Sequence, residues 1–451
     1  MGNIAETIDL DAFTGPIFRP GDAGYDAEIA GFQTAYSHRP ALIVGAAHAE
    51  DVRAAVEYAA RHELPIAVQA TGHGLSVAGD GAVLINTRRM AGIRIDPVRR
   101  TAHIGAGVRA GALVDAAAAH ELAPLNGSSQ SVGVVGYLLG GGVGLLARQF
   151  GYAAEHVRAI ELVTAEGRVR TLVPGDELFG AVLGSGGNFG VVTGLEVGLV
   201  PVTTVYGGQL VFDTPLVERA LDAWRQWTET VPEELTSTVA MLAFPDIPPV
   251  PAPLRGRYVA SIRIAYNGPA QEAERLVAPL RAVGERLKDD LRAMPYTESH
   301  TIHSDPDNPH AYAATNALLG EFSEDTATAL LAAAGPESGA GAVVDIRHLG
   351  GALARPGDAG IAVDHREASH IVRIITGPDD AATRADIRAA LAPWTLGHSL
   401  NFLYGAGAEA DEAQTRAGYR TDTYARLAAL KAQHDPRNLF RFNRNIRPAA
   451  G

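Results

Sequence analysis

His73 has the sequence surroundings most typical of a reactive site in this chain. Glycines stand on both sides of it, at Gly72 and Gly74, and a short apolar run over 64–68 precedes the turn. Glycine permits a positive φ and lets a bulky ligand approach the backbone closely. We therefore predict that the imidazole lies at the end of a buried strand and points at whatever the turn holds. The alternative is an ordinary solvated loop histidine.

Two glycine clusters downstream have the composition of ligand-binding turns. They span 127–144 and 184–190. Closely spaced glycines permit tight turns whose amide N–H groups converge on a phosphate or a carbonyl oxygen, and the alternative is plain turn formation. Neither cluster is a GxGxxG dinucleotide fingerprint, because position 189 is Phe189 and the pair Gly105 and Gly107 lacks a third glycine.

The charge balance limits which partners the chain can bind. There are 51 acidic and 38 basic side chains, a formal net charge of -13. This charge disfavours nucleic acid as a partner, and an anionic cofactor would have to be held by backbone N–H groups instead of lysines. The absence of cysteine excludes disulfides and thiolate sites. The histidines show no metal-site spacing, so no metal is expected.

Length and hydropathy predict a soluble, cytoplasmic protein of two domains. The 451 residues exceed what one hydrophobic core usually supports. No apolar run reaches the length of about 18 residues that a membrane helix needs, and no signal-like N-terminal segment occurs. We expect a monomer or homodimer that acts on a small molecule away from membranes.

The order of predicted elements indicates an α+β fold. Strands at 41–44 and 64–68 flank an amphipathic helix at 49–62, which together form a β-α-β unit. Beyond residue 206, strand-like runs such as 258–264 and 370–375 alternate with alanine-rich helical stretches. Segregated strands and helices predict a largely antiparallel sheet in this second part.

Together these segments resemble the flavoproteins of the vanillyl-alcohol oxidase and berberine-bridge-enzyme family. The resemblance covers roughly 40–200 and 400–450, about half the chain. Between 206 and 399 it is limited to the general pattern of strand-like and helical stretches. The motifs that carry it, in the family's order, are Gly72-His73, Val132-Gly133, Gly140-Gly141-Gly142, Gly187-Asn188-Phe189-Gly190-Val191-Val192-Thr193, Asn401-Phe402, and the tail from Tyr424 to Phe440.

The resemblance implies a division of the chain into three segments. Residues 1–205 would form an FAD-binding domain of the PCMH type, with two small sheets flanked by helices. Residues 206–399 would form a substrate domain, an antiparallel sheet covered by helices. Residues 400–451 would return to the FAD domain as a berberine-bridge-like tail.

The resemblance also implies FAD bonded covalently to His73 through the flavin 8α-carbon. Relatives add a second link through a cysteine near position 129, which is Ser129 here, so a single link is expected. Gln69 stands where relatives carry an arginine, and Tyr137 where they carry a histidine. The other positions that match the family's cofactor site are Ala70, Thr71, Gly72, Gly74, Val132, Gly133, Gly136, Gly140, Gly141, Gly142, Gly187, Asn188, Gly190, Val191, Val192, Asn443 and Asn445.

The implied activity is oxidation of an organic alcohol or amine, with electrons passed to O2 to give H2O2. Val132 matches a position where relatives carry a small residue when O2 reaches the flavin, which favours an oxidase. An alcohol substrate requires a base, whereas a neutral amine does not. Several relatives use a tyrosine where this chain has Phe402. Tyr404, two residues on, and His156, in place of the family's asparagine, are therefore the predicted catalytic residues.

Three alternatives accompany this prediction. The same fold could work as a flavin dehydrogenase with another electron acceptor, or as a flavin-containing protein that binds or cyclises a ligand without net redox. A nicotinamide dehydrogenase is disfavoured, since no GxGxxG motif follows a strand. The abundance of alanine, arginine and glycine is typical of a GC-rich genome and favours an intermediate of secondary metabolism as the substrate.

Overall fold

The computed structural model describes residues 12–405 and 411–450. The first eleven residues of the expected FAD-binding domain, and positions 406–410 and 451 of the expected tail, lie outside this range. Within it, no helix is long and apolar enough to cross a membrane.

The secondary structure is mixed along the whole described chain. The strands are β1 (Ile17–Phe18), β2 (Leu42–Gly45), β3 (Ile66–Gln69), β4 (Val83–Asn86), β5 (Ile93–Asp96), β6 (Thr101–Gly105), β7 (Val157–Val163), β8 (Val169–Leu172), β9 (Val191–Gly198), β10 (Thr204–Asp213), β11 (Leu235–Ala243), β12 (Tyr258–Tyr266), β13 (Lys288–Asp289), β14 (Arg292–Pro295), β15 (Ala313–Leu319), β16 (Val343–His348), β17 (His370–Thr376) and β18 (Thr395–Gly397). The α-helices are α1 (Tyr25–Ile29), α2 (Ala49–Arg61), α3 (Ala110–Ala118), α4 (Val134–Leu139), α5 (Ala147–Phe150), α6 (Glu177–Val182), α7 (Val217–Thr228), α8 (Ala270–Arg281), α9 (Glu324–Ala334), α10 (Ala381–Leu391), α11 (Glu412–Arg416) and α12 (Thr421–His434). Short 3-10 helices occur at Ala153–His156, Thr214–Leu216, Tyr296–Ile302, Gly351–Ala354, Ala392–Trp394 and Leu400–Phe402.

The N-terminal strands form two small sheets. Their orders are β1-β2-β4-β3 and β5-β6-β9-β7-β8. The predicted β-α-β unit is present as β2, α2 and β3, and the apolar face of α2 is buried at Val52, Val56 and Ala59 as its period predicted. However, β2 and β3 are not neighbours, because both pair in parallel with β4. The His73 turn therefore links two adjacent parallel strands, β3 and β4.

The third sheet is large and antiparallel, which confirms the predicted α+β fold. Its main order is β13-β10-β12-β11-β16-β17-β15-β18, and β14 pairs with β10. One face is apolar and packs on helices α7 to α10, with Leu210, Ile262, Val239, Ile346 and Val372 in that core. Side chains alternate between faces along a strand, so the residues between these ones lie on the opposite face.

That opposite face carries buried polar and charged side chains. Thr238 of β11 is directly opposite both Arg263 of β12 and Arg347 of β16, and Asp345 is opposite Arg373 of β17. Directly opposed residues in an antiparallel pair share one face of the sheet. The alternation of charged and apolar residues in these strands therefore places the charges away from the helices, towards the glycine-rich loops.

The end of the described chain contacts the first sheet. Ile66 in β3 pairs with Phe440, and its amide donates to the carbonyl of Leu439 at 2.9 Å. Leu439 and Phe440 lie in the same core as β2 and β4. The tail thus lies beside the strand that leads into the His73 turn.

His398 is held in the neutral form inside the fold. It lies 5% exposed, its Nδ1 is 2.8 Å from the carbonyl of Asn316, and its Nε2 is 3.1 Å from Arg388 Nη2. Arginine only donates, so Nε2 must accept and Nδ1 must carry the proton. Burial, with Arg388 adding to it, lowers the pKa of His398 from 6.5 to about 4.

We expect this histidine to make the protein less stable in acid. The folded pKa is below the unfolded one, so its contribution is complete above pH 6.5 and is lost as the pH falls towards about 4. The loss is about 1.4 kcal/mol per pH unit. Between pH 7 and 5 the wild type should therefore lose about 2 kcal/mol more than His398→Gln in urea unfolding. His120→Gln, an exposed histidine, is the control, and equal slopes in all three proteins would contradict the assignment.

Candidate functional site

The turn after β3 brings His73 into a confined position. Gly72 has a φ of +73°, and a Cβ there would lie 2.8 Å from the Cα of Gly31, so glycine is required both for the turn and for the close approach. The imidazole of His73 stacks on the ring of Phe32, with 3.8 Å between centroids and 11° between planes. The hydroxyl of Tyr312 donates to the His73 carbonyl at 3.0 Å.

Both ring nitrogens of His73 have hydroxyl partners. Nδ1 lies 3.0 Å from Thr71 Oγ1, and Nε2 lies 3.1 Å from Ser131 Oγ, which is itself 3.0 Å from Ser129 Oγ. Hydroxyls donate or accept as required, so they suit either neutral tautomer. Burial, reinforced by the positive field of Arg109, lowers the pKa of His73 from 6.5 to about 4. At neutral pH the imidazole is therefore uncharged and keeps one nitrogen lone pair.

Two loops with unpaired amides meet at His73. Among the described residues, none of the backbone N–H groups of 71–74 or of 128–131 donates a hydrogen bond. The loops are joined by the contact between His73 and Ser131, and by the Gly133 amide, which donates to Thr71 Oγ1 at 3.2 Å. Runs of free amides form the concave sites that bind anions in proteins. This is the kind of site that an acidic chain needs for an anionic cofactor.

The first glycine cluster packs around two side chains. A Cβ at Gly140 would lie 1.7 Å from Asn401 Oδ1, and one at Gly142 would lie 2.8 Å from the Tyr137 ring. Asn401 Nδ2 donates to the Tyr137 carbonyl at 3.0 Å. Gly141, in the same turn as Gly140 and Gly142, has a φ of +102° and packs against Val363. These glycines therefore let α4 approach the segment around residue 401.

Tyr137 points inward from this helix. Its hydroxyl donates to the carbonyl of Leu125 at 3.2 Å, and burial raises its pKa far above the ordinary range. Together with Val132 and His156, Tyr137 lines a cavity beneath the first glycine cluster. Gly136, on the other side of α4, is exposed, and a Cβ there would meet nothing within 4 Å.

The second glycine cluster is tied to the C-terminal tail. Asn188 is fully buried, and its side chain bonds Ser185, Arg444 and Ile446. Asn443 donates to the Gly187 carbonyl at 3.2 Å. Gly187 itself has a φ of +87° and open space in front of it. Beyond this turn, Gly190 leads into β9, whose first residues are Val191 and Val192, and all three are buried.

The structure uses Gln69 for packing. It is 5% exposed, its Nε2 donates to the carbonyl of Ile29 at 3.0 Å, and its Oε1 is 3.0 Å from His38 Nε2. It therefore fixes the segment before Gly31 on which the His73 turn rests. Ala70, the next residue, faces Gly133.

A cluster of charges covers the polar face of the large sheet. Asp345 accepts from Arg263 Nη1 at 3.2 Å, Arg347 Nε at 3.0 Å and Arg373 Nη1 at 3.1 Å. These guanidinium groups hold the pKa of Asp345 well below its usual range. Arg347 and Arg373 also lie over the ring of Phe402, at 5.1 and 4.6 Å.

Tyr404 joins this cluster to the His73 turn. Its hydroxyl oxygen accepts from Arg373 Nη2 at 2.8 Å, and its ring packs edge-on against Tyr312 at 5.2 Å. Tyr312 in turn contacts the His73 backbone. A spacing of two residues would place Phe402 and Tyr404 on one face of a strand, but residues 400–402 form a 3-10 helix. Phe402 and Tyr404 nevertheless both contact Arg373.

His156 lies apart from the other predicted catalytic residue. Its Nε2 is 2.8 Å from the carbonyl of Phe150. Within the part of the chain that the structure describes, no hydrogen bond or ring contact joins it to Tyr404 or His73. No group of three or more histidine and acidic side chains within those residues could hold a metal ion.

Two segments of this architecture match known protein families. Residues 40–172 match the family model described as an FAD binding domain, and residues 408–447 match the model described as berberine and berberine like. The chain is an FAD-linked oxidoreductase that is similar to the berberine-bridge type.

Individual relatives align along almost the full length of this oxidoreductase. An (R)-6-hydroxynicotine oxidase from Paenarthrobacter nicotinovorans is 28% identical over 96% of this chain and 97% of its own. An FAD-linked oxidoreductase from Dictyostelium discoideum is 26% identical over 97% and 96%. The crystal structure of 6-hydroxy-D-nicotine oxidase from Arthrobacter nicotinovorans superposes with a TM-score of 0.82 at 26% identity, covering 97% of this chain and 98% of that one.

The residues present in this FAD-linked oxidoreductase fit an FAD molecule. The free amides of 71–74 and 128–131 suit phosphate oxygens. In the described tail, the buried Oδ1 atoms of Asn443 and Asn445 have no hydrogen-bond partner. Buried polar atoms are almost always paired, so a ligand beside these two asparagines would complete their hydrogen bonding.

Sequence reasoning missed several polar residues of this oxidoreductase's site. They are His303, Asp305, Tyr312, Asp345 and Arg373. The available signal was the pattern of Asp345 and Arg347 at alternate positions in an otherwise apolar strand. Such alternation places two charges on one face of a sheet, but the face that is covered depends on packing.

Proposed function

We propose that this oxidoreductase is an oxidase that takes a hydride from the carbon of an organic alcohol or amine and uses O2 as the electron acceptor. The observation that carries the proposal is the meeting of two free-amide loops at a neutral His73, with the half-buried Tyr312 and the buried Tyr404 in ring contact beside it. The choice of oxidase over dehydrogenase is supported by the full-length similarity to an (R)-6-hydroxynicotine oxidase. Val132 also supports an oxidase, because it is a small side chain at the position expected to admit O2.

We further propose that His73 carries FAD through one covalent bond. Forming the bond would remove one hydrogen from the flavin 8α-methyl group and one from the imidazole, and O2 would take up these two protons and two electrons as H2O2. The bond requires a nitrogen lone pair, which the imidazole keeps at physiological pH because its pKa is about 4. Thr71 and Ser131 hold the ring from both sides. The absence of cysteine restricts attachment to a single link.

The chain's own groups would hold the cofactor and orient the substrate. The amides of 71–74 and 128–131 would bind the phosphates, and Asn443 and Asn445 would complete the polar contacts. FAD, when bound, accepts the hydride and passes two electrons to O2, which with two protons gives H2O2. In this proposal residues 1–205 and 400–451 form the cofactor unit, and 206–399 the substrate unit that covers it.

Tyr404 is the residue proposed to take the substrate's hydroxyl proton. To take up a proton, the Tyr404 hydroxyl must first lose its own, and a nearby positive charge stabilises the negative oxygen that results. Arg373 donates to this oxygen at 2.8 Å. With an alcohol substrate, we expect Tyr404→Phe to lower kcat by about 100-fold, measured as peroxide release. Tyr258→Phe is the matched control, since Tyr258 bonds the Ala334 carbonyl on the helix side of the same sheet. An unchanged kcat for Tyr404→Phe would remove it from the chemistry.

The spectrum of the purified protein tests the proposed function directly. We expect yellow protein whose colour stays in the pellet after acid precipitation, because the flavin is covalently attached. After anaerobic reduction with dithionite, admission of air should restore the oxidised spectrum rapidly with release of peroxide. Reoxidation over many minutes, with fast reoxidation by an added quinone, would show a dehydrogenase instead. Colourless protein that binds no added FAD would overturn the proposal.

A further inference from the structure

The charge cluster on the large sheet has more positive than negative charge. Arg263, Arg347 and Arg373 have side chains only 13%, 7% and 14% exposed, and they share the carboxylate of Asp345. The other acid nearby, Asp305, is bonded to Ser128 of the amide loop. Three guanidinium groups therefore face two carboxylates.

The histidine in this cluster does not add a charge of its own. Burial, reinforced by Arg263, lowers the pKa of His303 far below its ordinary value. The buried region thus keeps one net positive charge. A buried charge without a counter-charge is costly, so this extra positive charge requires a negative group beside it.

Several donors in the cluster have no acceptor. The Nε atoms of Arg263 and Arg373 are buried without a hydrogen bond, as is the hydroxyl of Thr238. Arg347 uses its Nε for Asp345, and neither of its Nη atoms has a hydrogen-bond partner among the described residues. Thr238 lies directly opposite both Arg263 and Arg347, so the unused donors of these three residues occupy one row of the sheet. Arg373, opposite Asp345, lies in the neighbouring row of the same face.

This row lines a cavity that faces the first glycine cluster. Thr238, Arg263 and Arg347 line it from the sheet, His303 lines it from the residue after the 3-10 helix Tyr296–Ile302, and Gly144 lines it from the first glycine cluster. Its Arg347 shares the Asp345 carboxylate with Arg373, which begins the chain of contacts through Tyr404 and Tyr312 to His73. A molecule in the cavity would therefore lie between the charged sheet and the loops proposed to hold FAD.

We propose that the substrate is an organic acid whose carboxylate is bound by Arg347 and Arg263, with Thr238 as a third donor. A guanidinium group presents two parallel N–H donors that match the two oxygens of a carboxylate. One carboxylate would neutralise the surplus charge and pair the unused donors. This proposal rests on the proposed function and narrows its substrate to alcohols or amines that carry a carboxylate.

Calorimetric titration of the holoenzyme tests this proposal without turnover. The probes are acetate and benzoate, each compared with its neutral amide, acetamide or benzamide. We expect the carboxylates to bind at least about tenfold more tightly than the amides. Arg347→Gln should abolish that preference, and Arg347→Lys, which keeps the charge without the two-pronged geometry, should retain part of it.

The control and the second variant keep the outcome decisive. Arg225→Gln removes an arginine that is equally buried, at 15% exposed, and paired with Asp222 on α7, and it should leave the preference unchanged. If Arg347→Gln fails to fold by circular dichroism, Arg263→Gln replaces it with the same expectation. Equal binding of acids and amides by the wild type would overturn the proposal.

A further readout separates this proposal from two related possibilities. If Arg347→Gln changes the flavin reduction potential and leaves carboxylate affinity intact, the positive charge serves the cofactor and the proposal is wrong. If carboxylates bind as expected but no acid gives peroxide or bleaches the flavin, the proposed oxidase function fails while the carboxylate site stands.

Discussion

Replacing His73 with alanine is expected to release all of the flavin when the protein is denatured. The imidazole is the group proposed to bond the flavin, and its neutral state follows from burial and the positive field of Arg109. The chain has no cysteine to provide another link. After acid precipitation, the supernatant of His73→Ala should hold all the flavin absorbance and that of the wild type none. The intact mass of the denatured wild type should exceed that of its polypeptide by one FAD.

Two kinds of variant control this result. His310→Ala removes an exposed histidine that packs edge-on against the same Phe32, and it should keep the flavin attached. Ser131→Ala and Thr71→Val remove the hydroxyls that hold the ring, and they should slow attachment when apoprotein is incubated with FAD while leaving its final extent unchanged. Flavin in the wild-type supernatant would refute the covalent role of His73.

Replacing Asp435 with alanine is expected to lower the free energy of unfolding by about 3–5 kcal/mol. Asp435 and Lys431 are completely buried, and their side chains are joined at 2.7 Å. The Lys431 ammonium also donates to the carbonyls of Asn188 at 2.6 Å and Phe440 at 3.0 Å. Without the carboxylate, a buried ammonium would remain without its counter-charge, and removing one partner of such a pair is far more damaging than losing an exposed one.

The carboxylate has a second role that adds to the expected loss. Its oxygens accept the amides of Leu439 at 2.8 Å and Phe440 at 3.0 Å, which fixes the turn after α12 beside β3. Asp435→Ala should therefore lower the stability of the holoenzyme in urea unfolding. Combined with His73→Ala, in which the flavin has no covalent link, it should also weaken the retention of FAD. Asp222→Ala, which breaks an ion pair with an acid 47% exposed, is the control and should cost less than about 1 kcal/mol. A loss of that small size for Asp435→Ala would contradict the structural role of the pair.

Features that depend on neighbouring residues could be predicted from the sequence. The glycine before His73 adopts the positive φ that its turn requires, and α2 buries the face that its period indicated. Proline cannot continue a helix, and α12 ends at His434, just before Asp435 and Pro436. Each of these properties follows from local backbone preferences, which a short stretch of sequence already contains.

Features that depend on distant residues required the tertiary structure. The insertion of β4 between β2 and β3, and the use of Gln69 to hold the 29–31 segment, involve residues far apart in the chain. Tyr404 reaches Arg373 through a 3-10 turn that no alternation rule describes.

The sequence by itself determined the α+β fold, the flavin family and the place of His73, because motif spacing and periodicity are local properties. The tertiary structure alone decided that three arginines converge on Asp345 opposite the glycine loops. Strand register sets which side chains share a face, and register is decided by pairing between distant segments. The family resemblance was therefore readable from short motifs, whereas the positive charge of the cavity on the large sheet emerged only once the strands were paired.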